Sequence, residues 1–361
     1  MSPPPLPSGD LGLMWRPISL NDIDIWHELI RAIEDHDDPT ERLDEGDLID
    51  ELTSGSYKDP DRDSLIGFDG DGVARAFGHQ TPLPGTTLRR IYLWGGVHPQ
   101  WRRRGIGSAL LRWQTQRARA TLAEQEAADP DLSAVAWRIA VSFEERLADR
   151  AAACASTGYT AIRWFHDMSR PLGTEAPPIP DVAAPDGLRI ASWTDDLDDA
   201  VRLAHNEAFA EHWGSQSRDP ETWTTLTTAH RSFRRDWSRV ILDPGQCDTL
   251  GRAAVAAYLV AHAYPQDWDA LGYSQGWVDL IGVRPAWRGR GLAPALLAEV
   301  LRTLAADGMQ AAGLDVDTGN ETGALRLYEG MGFAVHTTSV TWVIEGCNNS
   351  ADVPASRPTA C

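Results

Sequence analysis

The stretch Ile281-Gly282-Val283-Arg284-Pro285-Ala286-Trp287-Arg288-Gly289-Arg290-Gly291-Leu292-Ala293-Pro294 passes from a short apolar strand through an Arg/Gly turn into an apolar helix. The same grammar stands earlier as Gly96-Val97-His98-Pro99-Gln100-Trp101-Arg102-Arg103-Arg104-Gly105-Ile106-Gly107-Ser108, so one chain carries two copies of one device. Each copy sets an Arg, then a Gly, then a small residue just before a helical pattern: Arg288, Gly291 and Ala293 in the later copy, Arg102, Gly105 and Gly107 in the earlier. Small residues let the backbone approach a ligand closely and adopt positive φ. The first N–H groups of the following helix have no intrahelical partner and face whatever anion lies in the turn. The device therefore reads as a pyrophosphate pocket. A Walker loop does not fit, because no Lys-Ser/Thr follows the Gly, and the third Gly of a Rossmann fingerprint is absent.

Working outward, Leu292, Leu296, Leu297, Val300, Leu301 and Leu304 recur at helical spacing, with Pro294 in the first turn where a missing N–H costs little. The chain divides into a tail over 1–12, a first half over 13–172, a Pro-rich linker over 173–186, a second half over 187–346 and a polar tail over 347–361 that reads as disordered. In the first half, strands are expected near Leu13–Ser19, Ser64–Phe68, Val73–Phe77, Arg90–Val97, Ala134–Val141 and Tyr159–Met168, with a helix over Leu20–Ile33 and a turn at Asp69–Gly72. The programme restarts at Leu188. Strands alternating with helices give an α/β class with a mixed sheet, and 361 residues suffice for two domains with separate cores.

Val97–Gly107 and Val283–Ala293 resemble the acyl-CoA pyrophosphate motif (Q/R-x-x-G-x-G/A) of the GCN5-related N-acetyltransferases, the GNAT family. The second half also has that family's downstream signature, a strand from Leu314, then Asn320, Ala324, Leu327-Tyr328 and the Gly332-Phe333 turn. The resemblance covers nearly the whole chain as two tandem GNAT domains, an arrangement shared with mycothiol synthases. It implies acetyl-CoA as co-substrate. The implied contacts are Ile281, Gly282, Val283, Arg288, Gly289, Arg290, Gly291, Leu292, Ala293 and Asn320 in the second half, with Val97, Arg102, Arg103, Arg104, Gly105, Ile106 and Gly107 as the first-half copy. Backbone groups at Ile281 and Val283 would hold the pantetheine. Tyr328 would protonate the departing thiolate.

Aligning Gly158-Tyr159 with Gly332-Phe333 puts Cys154 where Tyr328 stands and Arg146 where Asn320 stands, so the first half is expected to be non-catalytic. An attacking amine must lose a proton, and a carboxylate can take it. In Gly276–Val283, strict alternation puts Trp277, Asp279 and Ile281 on one face and Val278, Leu280 and Gly282 on the other, so Asp279 is an acid within an apolar strand. It is the candidate base; its first-half equivalent is Leu93. The competing reading is a partly exposed carboxylate paired with an Arg. In His205–Gly214, Glu207, Glu211 and Trp213 are candidates for the acceptor wall, against a reading as the polar face of a surface helix.

The expected reaction is acetyl transfer to a primary amine of a small molecule. Two alternatives stand beside it: a mycothiol synthase-like acetylation of a cysteinyl-glucosaminyl-inositol, and a regulatory acyl-CoA-binding module. A net charge of −19 excludes a nucleic-acid partner, which needs a basic face. No apolar run reaches membrane-spanning length, and the N-terminus has no signal-peptide pattern, so a cytoplasmic protein, monomeric or homodimeric, is expected. The four cysteines show no metal spacing, and no metal is expected.

Overall fold

A computed structural model describes residues 4–346 except 56–57, 84, 86, 211–214, 249 and 320–322. The first half contains β1 (Met14–Arg16), α1 (Ile23–Asp37), α2 (Glu45–Thr53), α3 (Pro60–Asp63), β2 (Ser64–Phe68), β3 (Ala74–Leu83), β4 (Arg89–Val97), α4 (Ile106–Ala128), β5 (Trp137–Glu144), α5 (Ala148–Ser156) and β6 (Thr160–Pro171). The second half repeats the plan with β7 (Arg189–Ser192), α6 (Asp198–Ala208), α7 (Pro220–Trp223), β8 (Arg239–Cys247), β9 (Ala253–Ala263), α8 (Pro265–Leu271), β10 (Gln275–Val283), α9 (Leu292–Ala306), β11 (Ala311–Asp317), α10 (Ala324–Gly330) and β12 (Ala334–Gly346). The α/β expectation holds. The strand expected from Ala134 begins at Trp137, because Pro130–Ala134 forms a 3-10 turn.

All twelve strands form one mixed sheet in the order β1-β2-β3-β4-β5-β12-β6-β11-β10-β9-β8-β7. Each half thus gives its last strand to the other: β12 pairs with β5 of the first half, and β6 pairs with β11 of the second. The two exchanged strands also pair with each other. The cores are joined accordingly, with Met168 and Leu172 packed among second-half side chains and Val340 among first-half ones.

The apolar stripe on α9 is fully buried, which explains why so regular a pattern forms a helix here: Leu296, Leu297, Val300, Leu301 and Leu304 pack beneath β8 to β11. Burying each such side chain is worth about 2 kcal/mol. Among the described residues no helix is long and apolar enough to cross a membrane.

Candidate active site

In each half two parallel strands pair only at their beginnings and then part. β4 and β5 run together from Arg89/Trp137 to Tyr92/Ala140, and β10 and β11 from Gln275/Ala311 to Val278/Leu314. Each parting strand therefore has one edge free to meet a ligand with its main-chain groups. The first residues beyond the paired segment are Leu93 and Val141 in the first half, and Asp279 and Asp315 in the second.

Asp279 occupies a β-bulge: Val278 faces Ala261 on β9, but the next partner pair is Leu280 with Val260. No such shift interrupts β4 against β3. The bulge overturns the strict alternation expected for this strand. Trp277 and Asp279 share a cavity wall, but Ile281 turns to the opposite side and packs with Val278 and Val283 on the α9 core. Leu280 and Gly282 face Tyr258 instead, and a Cβ at Gly282 would run into its ring. An extra residue on one strand reverses every following side chain.

The Arg/Gly turns superimpose in conformation as well as in sequence. Gly289 and Gly291 have φ of 73° and 80°, and the equivalent Arg103 and Gly105 have 63° and 83°. Gly291 and Gly105 cap α9 and α4, leaving the N–H groups of Leu292, Ala293, Ile106 and Gly107 at the mouth. The leading arginines brace the turns. Arg288 donates to the carbonyls of Val283 (3.4 Å) and Ala208 (2.9 Å). Arg102 donates to Val97 (3.1 Å) and, with both Nη atoms, to Asp37 (2.6 and 2.9 Å). Arg290 and Arg103 are exposed at the turn, and Arg104 lies over the Trp101 ring.

Tyr328 sits on α10 and is buried in the second half's core with Met331 and Phe333. Burial first, and the Asp315 charge second, push its phenol above the usual tyrosine range. Its first-half counterpart is confirmed by an identical turn: Phe333 N donates to the Tyr328 carbonyl and Tyr159 N to the Cys154 carbonyl, both at 3.0 Å. Cys154 is buried in an apolar cluster with Leu93 and Leu111, and burial lifts its thiol to about 11. A cavity of about 420 Å³ nevertheless opens there, lined by Leu93–Val97, Gly105, Gly107 and Cys154. Arg146 is held by Glu144 and the Asp38 carbonyl.

A second cavity of about 1050 Å³ lies between the halves. Trp277, Asp279 and Asp315 open onto it from the second half, Tyr92, Trp94 and Glu41 from the first. Burial, with the charges of Asp279 and Glu41, raises Asp315 to about 7. Asp315 was not singled out in the sequence, where Leu314-Asp315-Val316-Asp317 reads as a strand with one polar face. Sequence alone carries no signal for it, because its place opposite Asp279 is set by the pairing of β10 with β11.

Glu207 is committed to Arg284 by hydrogen bonds of 2.7 and 2.8 Å. His205 is buried, with Nδ1 2.6 Å from the Tyr258 hydroxyl. Trp223 and Trp237 are core residues. Asn320, Glu211, Trp213 and the tail over 347–361 lie outside the described residues. Among those described, no group of three His, Cys, Asp or Glu side chains is placed to hold a metal ion.

Comparison with known proteins agrees with this architecture. The pattern of the family described as Acetyltransferase (GNAT) family matches residues 200–333. The chain is 31% identical to a mycothiol acetyltransferase of Thermomonospora curvata, over 75% of this chain and 79% of the relative. It is 31% identical to that of Thermobispora bispora, over 77% and 82%. In fold it is similar to a GCN5-related N-acetyltransferase of Sphaerobacter thermophilus (TM-score 0.70, 22% identity, 94% and 97% coverage). It is also similar to a tandem GNAT protein of the clavulanic acid biosynthesis pathway (TM-score 0.65, 19% identity, 94% and 100% coverage).

Proposed function

The chain belongs to the GNAT acetyltransferase family, and from that premise we propose that its second half, residues 187–346, moves an acetyl group from acetyl-CoA directly to a primary amine of a small molecule. The observation that carries this reading is the parting of β10 and β11 beyond Val278 and Leu314, with Asp279 on a bulge at the gap and Tyr328 within reach of the Asp315 charge, where the first half has Leu93 and Cys154. The turn from Arg288 to Ala293 would take the pyrophosphate on main-chain N–H groups, with Arg290 adding charge. Main-chain groups of Ile281 and Val283 would hold the pantetheine. Asn320 belongs to the same proposal.

Asp279 accepts the proton of the attacking ammonium, directly or through water. A main-chain N–H of β10 stabilises the charge growing on the carbonyl oxygen. Tyr328, which its surroundings keep protonated at neutral pH, gives its proton to the departing thiolate. Residues 13–172 act as a non-catalytic copy that retains a cleft of about 420 Å³ around Arg102–Gly107.

The 31% identity to mycothiol acetyltransferases favours a second reading of the acceptor, a cysteinyl-glucosaminyl-inositol amine. Both readings share the acetyl-transfer chemistry. Tyr328→Phe tests it: acetyl transfer should fall while CoA affinity is kept, and an unchanged rate removes Tyr328 from the mechanism.

A further inference from the structure

The cavity between the halves is lined by more acidic than basic side chains, and Arg218 and His336 offset the imbalance only in part, acting on Asp279 and Asp167. Five carboxylates on its wall, Glu41, Asp167, Asp267, Asp279 and Asp315, form no ion pair among the described residues. Among the described residues, Asp267 accepts only from the Arg42 main-chain N–H (2.7 Å), and Asp167 only from the Thr40 hydroxyl (3.4 Å). Among the described residues neither the Glu41 nor the Asp315 carboxylate accepts a hydrogen bond from another residue, and both side chains are exposed. Both line the cavity between the halves, and the partial loss of water there is the leading cause that raises the pKa of each.

The carboxylates act on one another. The charge of Glu41 raises Asp315 and Asp267, that of Asp315 raises Asp167, and that of Asp279 raises Asp315. The basic side chains on the same wall are engaged elsewhere: Arg150 with Asp37 (3.3 Å), Lys58 with Glu51 (3.5 Å) and Arg42 with Asp38 (2.9 Å). Like charges crowded onto one wall repel one another, so the arrangement suits a ligand that brings cations. Trp277, Tyr264 and Tyr92 add aromatic faces that attract ammonium groups.

We propose that this chamber binds an acceptor carrying two or more aliphatic ammonium groups, one presented to Asp279 for acetylation and another held by Asp267 and Glu41. The inference rests on the reading of Asp279 and Tyr328 as the transfer site. About 1050 Å³ is at the upper end for a small-molecule site, large enough for an extended polyamine or amino-sugar. No three of the carboxylates are placed to share one metal ion among the described residues, which suits charges spread along a ligand rather than a single ion. Because walls come from both halves, the first half contributes to acceptor recognition even without a catalytic group of its own.

The test compares 1-aminobutane, 1,4-diaminobutane, spermidine and spermine with the full-length protein and acetyl-CoA. Thiol release is followed at pH 8, and amine binding is followed separately by calorimetry. Spermidine and spermine should exceed the monoamine in kcat/KM by about tenfold for each added ammonium, the effect of roughly 1.4 kcal/mol per ion pair. Their binding should weaken as salt rises. Asp267→Asn should raise KM for spermidine about tenfold and that for 1-aminobutane much less. Equal binding of mono- and polyamines, or none, with transfer to another acceptor overturns the chamber proposal while leaving the transferase intact. Salt-sensitive polyamine binding without thiol release keeps the chamber and overturns the transfer site.

Discussion

Asp279 and Asp315 each stand one residue beyond the last paired position of two parallel strands, facing each other where β10 and β11 begin to part. The first half puts Leu93 and Val141 at the same places. A carboxylate on each side of the gap gives the second half a proton acceptor that the first half lacks. Asp279→Asn should therefore lower kcat/KM by about a hundredfold or more, in the range of lost general-base catalysis, and leave CoA binding unchanged. Rates within twofold of the parent across pH 6 to 9 would assign the proton transfer elsewhere.

The chamber acids also set a pH dependence of stability. Burial leads in raising Asp167 to about 6 and Asp267 and Asp315 to about 7. A carboxyl group with a raised folded pKa contributes stability that is complete below its unfolded value and lost as pH climbs through the folded one. Denaturant midpoints should accordingly fall between pH 5 and 8. Asp22 acts in the opposite sense, since the Arg16 hydrogen bond holds it at about 2, but its loss begins only below about pH 4. A midpoint that rises steadily from pH 5 to 8 would contradict the assignment.

Much of this was legible in the chain. The two Arg/Gly turns were readable as strand-to-helix junctions, because their positive-φ positions favour glycine. Asp279 stood out as a lone acid in an apolar strand. The bulge that turns Ile281 away did not, because it is defined by the partner strand β9 and not by the residues of β10 themselves. Strand exchange was hidden for the same reason: apolar patterning marks β6 and β12 as strands without naming their neighbours. Glu41, in the connection from α1 to α2, and Asp267, on α8, are far apart in sequence, so only the shared sheet brings them onto one wall.

The turns differ in their cost. Both need a left-handed residue after the bracing arginine; Gly289 takes φ 73° freely, but Arg103 at φ 63° meets the Cβ clash of that region. Arg103→Gly should stabilise the protein by about 0.5 to 1 kcal/mol, the relief of strain less the added chain entropy of glycine. Gly289→Ala should cost about 1 to 2 kcal/mol and weaken CoA binding. Urea unfolding of the two variants gives the comparison, and a destabilised Arg103→Gly protein would show that the Arg103 side chain does more for the fold than its backbone costs.

The exchanged strands bear on cooperativity. β12 lies between β5 and β6, so every route from the first half's sheet to the second passes through it. Val340 and Val343 of this strand are buried, and Val340 packs against the first half's Leu93, Phe143 and Tyr159. Neither half can open its last paired strand without exposing edge and core of the other, and unpaired edges expose main-chain donors and acceptors. Calorimetry should therefore give one unfolding transition for the full chain, with equal calorimetric and van't Hoff enthalpies. Charge substitution at the buried position, Val340→Asp, should lower that single transition as a whole. Two transitions, with only the earlier one moved by Val340→Asp, would show that the halves unfold independently despite sharing a sheet.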